Sequence, residues 1–246
     1  MIHKIIETYG FTWELLETLH LSFEKLFVYK IKKKHLLIQL EKKGISNLRY
    51  FSKGKRGLIY KGVYKEKKSS KKIVVAIKVQ NPKSEAQNKI SYEQKILKFL
   101  NKKKIGPLFL FGGKHYFVYR FAVGKFFKDY ILKASSLQIK KIISDILQQC
   151  YILDTLHLNK QEMHRPLRHI IVSQNSKELV TLLDFERVTP SENPKNITQF
   201  LDYLGKISPQ LSTRGFVVSP QKLREMSRRY KKKEITFSDM LKTLPQ

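Results

Sequence analysis

The chain has 246 residues, enough for one large domain or two small ones with a substantial core. Its apolar and charged fractions, 41% and 28%, are those of a soluble globular protein. No apolar run approaches the roughly 18–20 residues that a membrane helix needs, and MIHKIIETYG lacks the apolar centre of a signal peptide. Cys150 is the only cysteine, which excludes an intrachain disulfide and a multi-cysteine zinc site. We therefore expect a cytoplasmic protein without a membrane span.

The formal net charge of +29 at pH 7 is the most unusual bulk property. A charge of this size attracts polyanions and indicates RNA or ribosome contact through a basic surface. A genome-wide preference for lysine-rich surfaces explains it as well, because the lysines are spread along the chain in KIKKK, KEKKSSKK, NKKK and RRYKKK. Both interpretations stay open.

The predicted elements run from helical to β-rich and back to helical. Residues 1–45 are predicted to form a helical N-terminal extension, because apolar residues recur at helical spacing in FTWELLETLHLSFEKLF and HLLIQLEKKG. Residues 46–122 are predicted to form three strands, an amphipathic helix in KISYEQKILKFLNKKK and a hairpin that turns at Gly112 and Gly113. Residues 123–246 are predicted to be mainly helical, with a shorter hairpin in HIIVSQNSKELVTLLDF.

Three glycines, Gly54, Gly57 and Gly62, lie in GKRGLIYKG, at and after the turn between the first two predicted strands. Because glycine has no Cβ, such a turn lets backbone N–H groups approach the phosphates of a nucleotide. The spacing departs from G-x-G-x-x-G, and no G-K-[ST] follows as in a Walker A loop. An ordinary hairpin turn gives the same pattern.

Lys78 ends the apolar part of the strand in VVAIKV, and Glu93 follows fifteen residues later inside the amphipathic helix. This pair resembles the strand lysine of kinases and the glutamate on the next helix, and the resemblance implies that Lys78 binds the α- and β-phosphates of ATP. A solvated lysine on an edge strand is the alternative. The glycines upstream and Glu93 downstream favour the paired interpretation.

Asp184 follows an apolar strand in VTLLDFER. The string resembles the metal-binding DFG element of kinases, which implies that Asp184 binds Mg²⁺ against nucleotide phosphates; a hard cation prefers such oxygen ligands. An aspartate that caps a turn is the alternative. Glu186 is either a second metal ligand or an ion-pair partner for Arg187.

In this order the segments resemble the protein-kinase-like superfamily over roughly residues 46–205. LLDFE is similar to the DFG element with glutamate in place of glycine, and to the I-D-[FW]-E strings of choline kinases and aminoglycoside phosphotransferases. The resemblance implies an α+β, two-lobed fold with a β-rich N-lobe and a helical C-lobe. It also implies binding of ATP and Mg²⁺.

The stretch NKQEMHRPLRHIIV stands where that superfamily has its catalytic loop, and it departs most from the pattern. Alignment on HIIV puts His169 in the place of the metal-binding asparagine. Two extra residues then put Glu162 in the place of the catalytic aspartate and Lys160 where the histidine stands. The resemblance implies that Glu162 accepts or orients the hydroxyl proton and that His169 is a metal ligand. Arg165 and Arg168 either bind phosphate or form a basic rim.

Two further segments extend the resemblance. YFVYRFAVGKFF is similar to the hinge, which implies that Tyr119 and Phe121 line the adenine pocket. The strings E-M-H-R-P-x-R-H-I-I-V, L-D-F-E-R and P-K-N-I-T-Q-F resemble an uncharacterised archaeal family of predicted serine/threonine protein kinases, itself distantly similar to RIO and Bud32-type atypical kinases. This implies an archaeal source and a role for Asn196 in bracing the metal loop.

The expected function is that of an atypical ATP-dependent kinase, a transferase that moves the γ-phosphoryl group to a hydroxyl, with serine or threonine of a protein as acceptor. Only about sixty residues follow Asp184, without an A-P-E segment or a long activation loop. Three alternatives stay open: a pseudokinase that binds nucleotide without turnover, a small-molecule kinase, and a basic RNA-associated module in which the fold serves as a scaffold.

Overall fold

The computed structural model describes residues 35–54, 57–66, 71–81, 89–173 and 179–245. A β-rich lobe precedes a mainly helical lobe, so the predicted α+β, two-lobed architecture is confirmed. Most of the predicted N-terminal helical extension lies outside the described residues.

The first lobe is an antiparallel five-stranded sheet with one helix on each face. Its elements are a helix over residues 35–42 (α1), β1 (Ile45–Lys53), β2 (Gly57–Lys65), β3 (Lys72–Gln80), α2 (Lys89–Asn101), β4 (Phe109–Gly112) and β5 (Tyr116–Arg120). The strand order is β1-β2-β3-β5-β4. Gly44, at a φ of +89° that glycine adopts without strain, follows the end of α1.

The β4–β5 turn differs slightly from the prediction. Gly112 is still part of β4 and pairs with Phe117. The turn therefore begins at Gly113, whose N–H donates to the carbonyl of Tyr116.

The second lobe is built around a long helix. Its elements are β6 (Lys125–Phe126), α3 (Phe127–Tyr130), α4 (Ser136–Thr155), β7 (Leu158–Lys160), a 3₁₀ turn (Gln161–His164), β8 (Ile170–Val172), β9 (Val180–Leu182), β10 (Val188–Pro190), α5 (Asn196–Lys206), α6 (Ser208–Ser212), α7 (Pro220–Lys231) and α8 (Phe237–Lys242). A capping box between Ser135 and Gln138 fixes the start of α4. Short ladders join β6-β8-β9 and β10-β7.

The two faces of β3 have different surroundings. Val75 and Ile77 pack with Leu40 of α1 in the smaller cluster. Side chains alternate along a strand, so Lys78 points to the opposite face, the one that α2 covers. The larger cluster continues from α2 into the second lobe and includes Phe185. Lys78 is thus directed towards the junction of the lobes.

Two features outside the site complete the description. Cys150 is fully buried in α4, as a core residue should be. Within the described ranges, no helix has the length and apolar character that crossing a membrane requires.

Candidate functional site

Lys78 and Glu93 meet in a buried ion pair. The Lys78 Nζ lies 2.6 Å from Glu93 Oε2, and the two residues are 8% and 3% exposed. Glu93 shares the inward face of α2 with Ile90 and Leu97, at the i, i+3 and i+7 spacing of an amphipathic helix. The structure therefore brings together the two residues that the sequence paired.

Asp184 and Glu186 approach the same ammonium group. Lys78 Nζ lies 3.1 Å from Asp184 Oδ1 and 3.8 Å from Glu186 Oε2. Asp184 has a φ of +63°, an uncommon left-handed conformation that aspartate tolerates better than most residues and that often marks functional sites. The next residue, Phe185, is buried, and its N–H donates to Glu93 Oε1 at 3.2 Å. The turn after β9 is thus fixed to α2.

These contacts set the charge states of Lys78 and Asp184. Burial alone would lower the pKa of Lys78, but the carboxylates of Glu93 and Asp184 outweigh it and raise the pKa above its ordinary value. Burial alone would raise the pKa of Asp184, but the ammonium groups of Lys78 and Lys160 hold it below its ordinary value. Both groups are therefore charged at neutral pH.

The carboxylates at this junction fit a divalent cation. Glu93, Asp184 and Glu186 each offer an oxygen, and the three atoms lie within 4.8 Å of one another. Both Glu93 oxygens already contact Lys78 or the Phe185 N–H, which makes Asp184 and Glu186 the better ligands. Three carboxylates around one lysine leave an excess of negative charge, and hard oxygen donors are what Mg²⁺ prefers.

His169 lies on the other side of Asp184. Its Nδ1 is 3.8 Å from Asp184 Oδ2, is buried, and makes no hydrogen bond to any described residue. Burial and the positive charge of Lys160 lower the pKa of His169, so the imidazole is neutral at pH 7. A buried, neutral nitrogen beside Asp184 fits the ligand role that the sequence predicted, although that role itself stays a prediction.

Glu162 is connected to Asp184 through Lys160. The fully buried Lys160 donates from Nζ to Glu162 Oε2 at 2.9 Å and to the carbonyl oxygen of Asp184. Its ammonium also lies 5.2 Å from the centre of the Phe185 ring. The other Glu162 oxygen, Oε1, lies 3.9 Å from Arg187 Nε. Glu162 therefore lies close to the predicted metal loop through Lys160, and its assignment to the place of the catalytic aspartate stays a prediction.

Asn196 contacts β7. Its Oδ1 accepts from the N–H of Lys160 at 2.7 Å, and its Nδ2 donates to the carbonyl of Leu158 at 2.6 Å. Since Lys160 in turn donates to the carbonyl of Asp184, Asn196 is linked to the metal loop through Lys160, and its role in bracing that loop stays a prediction. Asp154, which the sequence analysis did not single out, accepts from Asn196 Nδ2 at 2.6 Å. The one sign of this role in the sequence is that Asp154 is a charged residue near the end of the long apolar helix α4.

The glycines and aromatic residues predicted to bind nucleotide surround the same face of the sheet. A Cβ on Gly57 would meet Lys78 Cε at 3.2 Å, so the close approach of β2 to Lys78 favours glycine. Gly54 donates its N–H to the carbonyl of Gly57 in the turn. Tyr119 pairs with Ala76 in the β3–β5 ladder and therefore shares a face with Lys78. The Phe121 ring lies against β1 and β2, with Lys61 Nζ 4.6 Å from its centre.

Comparison with known proteins gives one family match. A family model described as protein tyrosine and serine/threonine kinase matches residues 45–195. The matched range includes every residue that the sequence assigned to nucleotide, metal or acceptor binding, and Asn196 lies one position beyond it. No match was found among curated proteins.

Proposed function

Because the chain belongs to the protein tyrosine and serine/threonine kinase family, we propose that it is an atypical ATP-dependent kinase. It transfers the γ-phosphoryl group to a hydroxyl, with serine or threonine of a protein as acceptor. The observation that carries this proposal is the convergence of Lys78, Glu93 and Asp184 from β3, α2 and the turn after β9, with contacts of 2.6 and 3.1 Å. Because the Lys78–Glu93 ion pair is buried between β3 and α2, the Lys78 ammonium is held at the junction of the lobes, where it can bind phosphate.

Lys78 binds the α- and β-phosphates, and Glu93 holds its ammonium in place. Asp184 and Glu186, with His169, are the ligands proposed for Mg²⁺. Bound magnesium supplies positive charge where the phosphate oxygens become more negative during transfer. The backbone at Gly54 and Gly57 covers the phosphates from above.

Glu162 orients the acceptor hydroxyl and takes its proton as the new P–O bond forms. Lys160 holds Oε2, so Oε1 is the oxygen directed to the acceptor. Asn196 fixes the backbone of Lys160 and is a positioning residue. Tyr119 and Phe121 line the adenine side of the cleft.

The likeness to archaeal predicted kinases, and more distantly to RIO and Bud32-type kinases, is part of this proposal. Its support is the short segment between the metal loop and the next helix. Only residues 187–195 separate Glu186 from the start of α5, and three of them pair as β10 with β7. A long activation loop has no room there.

The test is transfer of labelled phosphate from γ-labelled ATP, in Mg²⁺, to a mixed protein acceptor. Wild type is compared with Lys78→Met, Asp184→Asn and the control Lys95→Met, which changes an exposed lysine on α2. We expect labelling by wild type and the control, and a large loss in both site variants. Equal labelling by all four proteins would contradict the proposal.

One observation favours a pseudokinase as the second candidate. Both oxygens of Glu162 lie near cations, Oε2 at 2.9 Å from Lys160 and Oε1 at 3.9 Å from Arg187. A carboxylate held from both sides is less available to an acceptor. ATP binding without phosphate transfer, in wild type and in Glu162→Gln alike, would support this candidate.

A further inference from the structure

The face of the first-lobe sheet that turns away from Lys78 is only partly covered by α1. Leu40 of α1 packs there against Val75 and Ile77. The eight residues of α1 make a helix about 12 Å long, whereas the nine-residue strands β1, β2 and β3 are about 30 Å long. One short helix therefore leaves part of this apolar face without a covering element.

A cavity of about 950 Å³ lies beside α1 on this face. Its apolar lining includes Leu58 of β2, Val79 of β3 and Leu37 of α1. Leu37 is half-buried and belongs to neither of the two apolar clusters of the described residues. The volume is at the upper end of the roughly 300–1,000 Å³ that pockets for small molecules have, so the cavity can take several large apolar side chains at once.

The rim of the cavity is basic. Lys42 and Lys43 stand at the end of α1, and Lys114 stands in the β4–β5 turn. No acidic residue is among the described residues that line the cavity. An occupant with an apolar stripe and carboxylates beside it would therefore be complementary to both the lining and the rim.

The segment of residues 11–27 has this pattern in its sequence. It contains three glutamates and one lysine, in a chain whose net charge is +29. Glu14, Glu17 and Glu24 recur at i, i+3 and i+10, along one side of an apolar stripe with helical spacing. The stripe consists of Leu15, Leu16, Leu19, Phe23, Leu26 and Phe27. An acidic amphipathic segment in so basic a chain is suited to a basic, apolar cavity.

The chain brings this segment to the cavity. His35, the first described residue, is one of the lining residues, so residues 1–34 join the described structure at the rim. Residues 28–34 connect the segment to α1, and fully extended they span roughly 25 Å, about twice the length of α1. This connection is long enough for residues 11–27 to turn back along α1.

We propose that the cavity is the docking site of residues 11–27 of the same chain. The apolar stripe of the segment fills the cavity, and its glutamates pair with the lysines of the rim. Leu58 and Val79, against which the segment packs, directly follow Gly57 and Lys78 in the chain. The docked segment thus supports the strands β2 and β3 from the face opposite Lys78. This docking does not depend on the proposed function, because it holds whether or not the chain transfers phosphate.

Trp13, the only tryptophan, reports on the docking. It stands three residues before Leu16, at the edge of the apolar stripe. The first measurement is acrylamide quenching of its fluorescence in the full chain, compared with a synthetic peptide of residues 1–34. We expect several-fold weaker quenching in the full chain and emission at shorter wavelength. Quenching as strong as in the free peptide would overturn the proposal.

A nitroxide label, which quenches tryptophan only at close range, then locates the segment. It is attached to Lys114→Cys at the rim, or to the control Lys222→Cys, an exposed position on α7 in the second lobe. Cys150 is fully buried and stays unlabelled. We expect the label at position 114 to quench Trp13 strongly and the label at position 222 to leave it unchanged. Equal effects of the two labels would refute the location. Quenching that rises with protein concentration would place the segment on a second copy and would also refute it.

Charge reversal tests the role of the rim. Lys42→Glu/Lys114→Glu should expose Trp13 to acrylamide, whereas the control Lys95→Glu/Lys222→Glu, which changes two exposed lysines outside the cavity, should not. Addition of Glu14→Lys/Glu17→Lys to the rim variant should shield Trp13 again, because the pairing is then restored with opposite signs. Equal shielding of Trp13 in all these variants would contradict the pairing. The comparison of wild type with the free peptide needs no variant, so it decides the docking even if a variant folds poorly.

Discussion

Removal of the buried Lys160 ammonium should destabilise the protein strongly. Lys160 is fully buried, and Lys160→Met leaves the Glu162 carboxylate, 10% exposed, without its contact at 2.9 Å. It also removes the donor to the carbonyl of Asp184. Breaking a buried pair from one side costs about 3–5 kcal/mol, because one charge stays buried without compensation.

A double-mutant cycle gives the sharper test. Glu162→Leu should cost a similar amount, because it leaves the lysine without its carboxylate. The double variant Lys160→Met/Glu162→Leu replaces both charges by apolar groups of similar size and should cost far less than the sum, with a coupling of about 3 kcal/mol. Urea unfolding followed by far-ultraviolet circular dichroism measures all four proteins. Additive losses would refute the buried pair.

Three further predictions concern other parts of the site. The pKa of Asp184 is depressed in the folded protein, so its carboxylate stabilises the metal-free fold above its unfolded pKa of about 3.9, and this stabilisation is lost as pH falls through the lower folded pKa. Tm measured from neutral to acid pH should therefore fall less steeply in Asp184→Asn than in wild type. Parallel Tm curves for the two proteins would be inconsistent with the depressed pKa. The pKa of Lys78 is raised in the folded protein, so the stability that its charged form adds is fully present below its unfolded pKa of about 10.4 and is lost only at higher pH. Lys78→Met should therefore change Tm by about the same amount at every pH in the neutral range. Asn196→Ala leaves the buried Leu158 carbonyl and Lys160 N–H without their partner, and should lower the free energy of unfolding in urea by about 2–4 kcal/mol and slow phosphate transfer. A loss of less than about 1 kcal/mol, close to that of an ordinary surface substitution, would argue against the role of Asn196 in bracing β7.

The sequence was sufficient for the central ion pair. Lys78 and Glu93 each stand at a fixed place in an element whose period is evident, β3 and α2, so their inward directions follow from alternation and from helical spacing. Asp184 follows from its place after an apolar strand. Local pattern thus gave the direction of each side chain, and the resemblance to kinases placed the three residues in one site.

The connection between Lys160 and Asn196 could not be predicted in the same way. Their hydrogen bond joins residues 36 positions apart in the chain, and it depends on how α5 packs against β7. Nothing in NKQEMHRP distinguishes a fully buried lysine from an exposed one, since lysines are spread through the whole sequence. The resemblance gave Lys160 a place in the loop but no contacts.

The contact of Arg187 with Glu162 could not be predicted from the sequence either. The sequence considered Arg187 only as an alternative ion-pair partner of Glu186. In the structure Arg187 Nε lies 3.9 Å from Glu162 Oε1, in a segment 25 positions earlier in the chain. Charges whose partners come from distant segments are found by packing, not by spacing.

Phosphate transfer by the Asp184→Asn variant is the most direct measurement of the central claim. The change keeps the size of the side chain and removes the charge that would hold Mg²⁺. We predict that wild type transfers labelled phosphate from γ-labelled ATP in a Mg²⁺-dependent reaction and that the variant, although folded, loses nearly all transfer. Transfer at the wild-type rate by folded Asp184→Asn would contradict the assignment of this junction as the catalytic site.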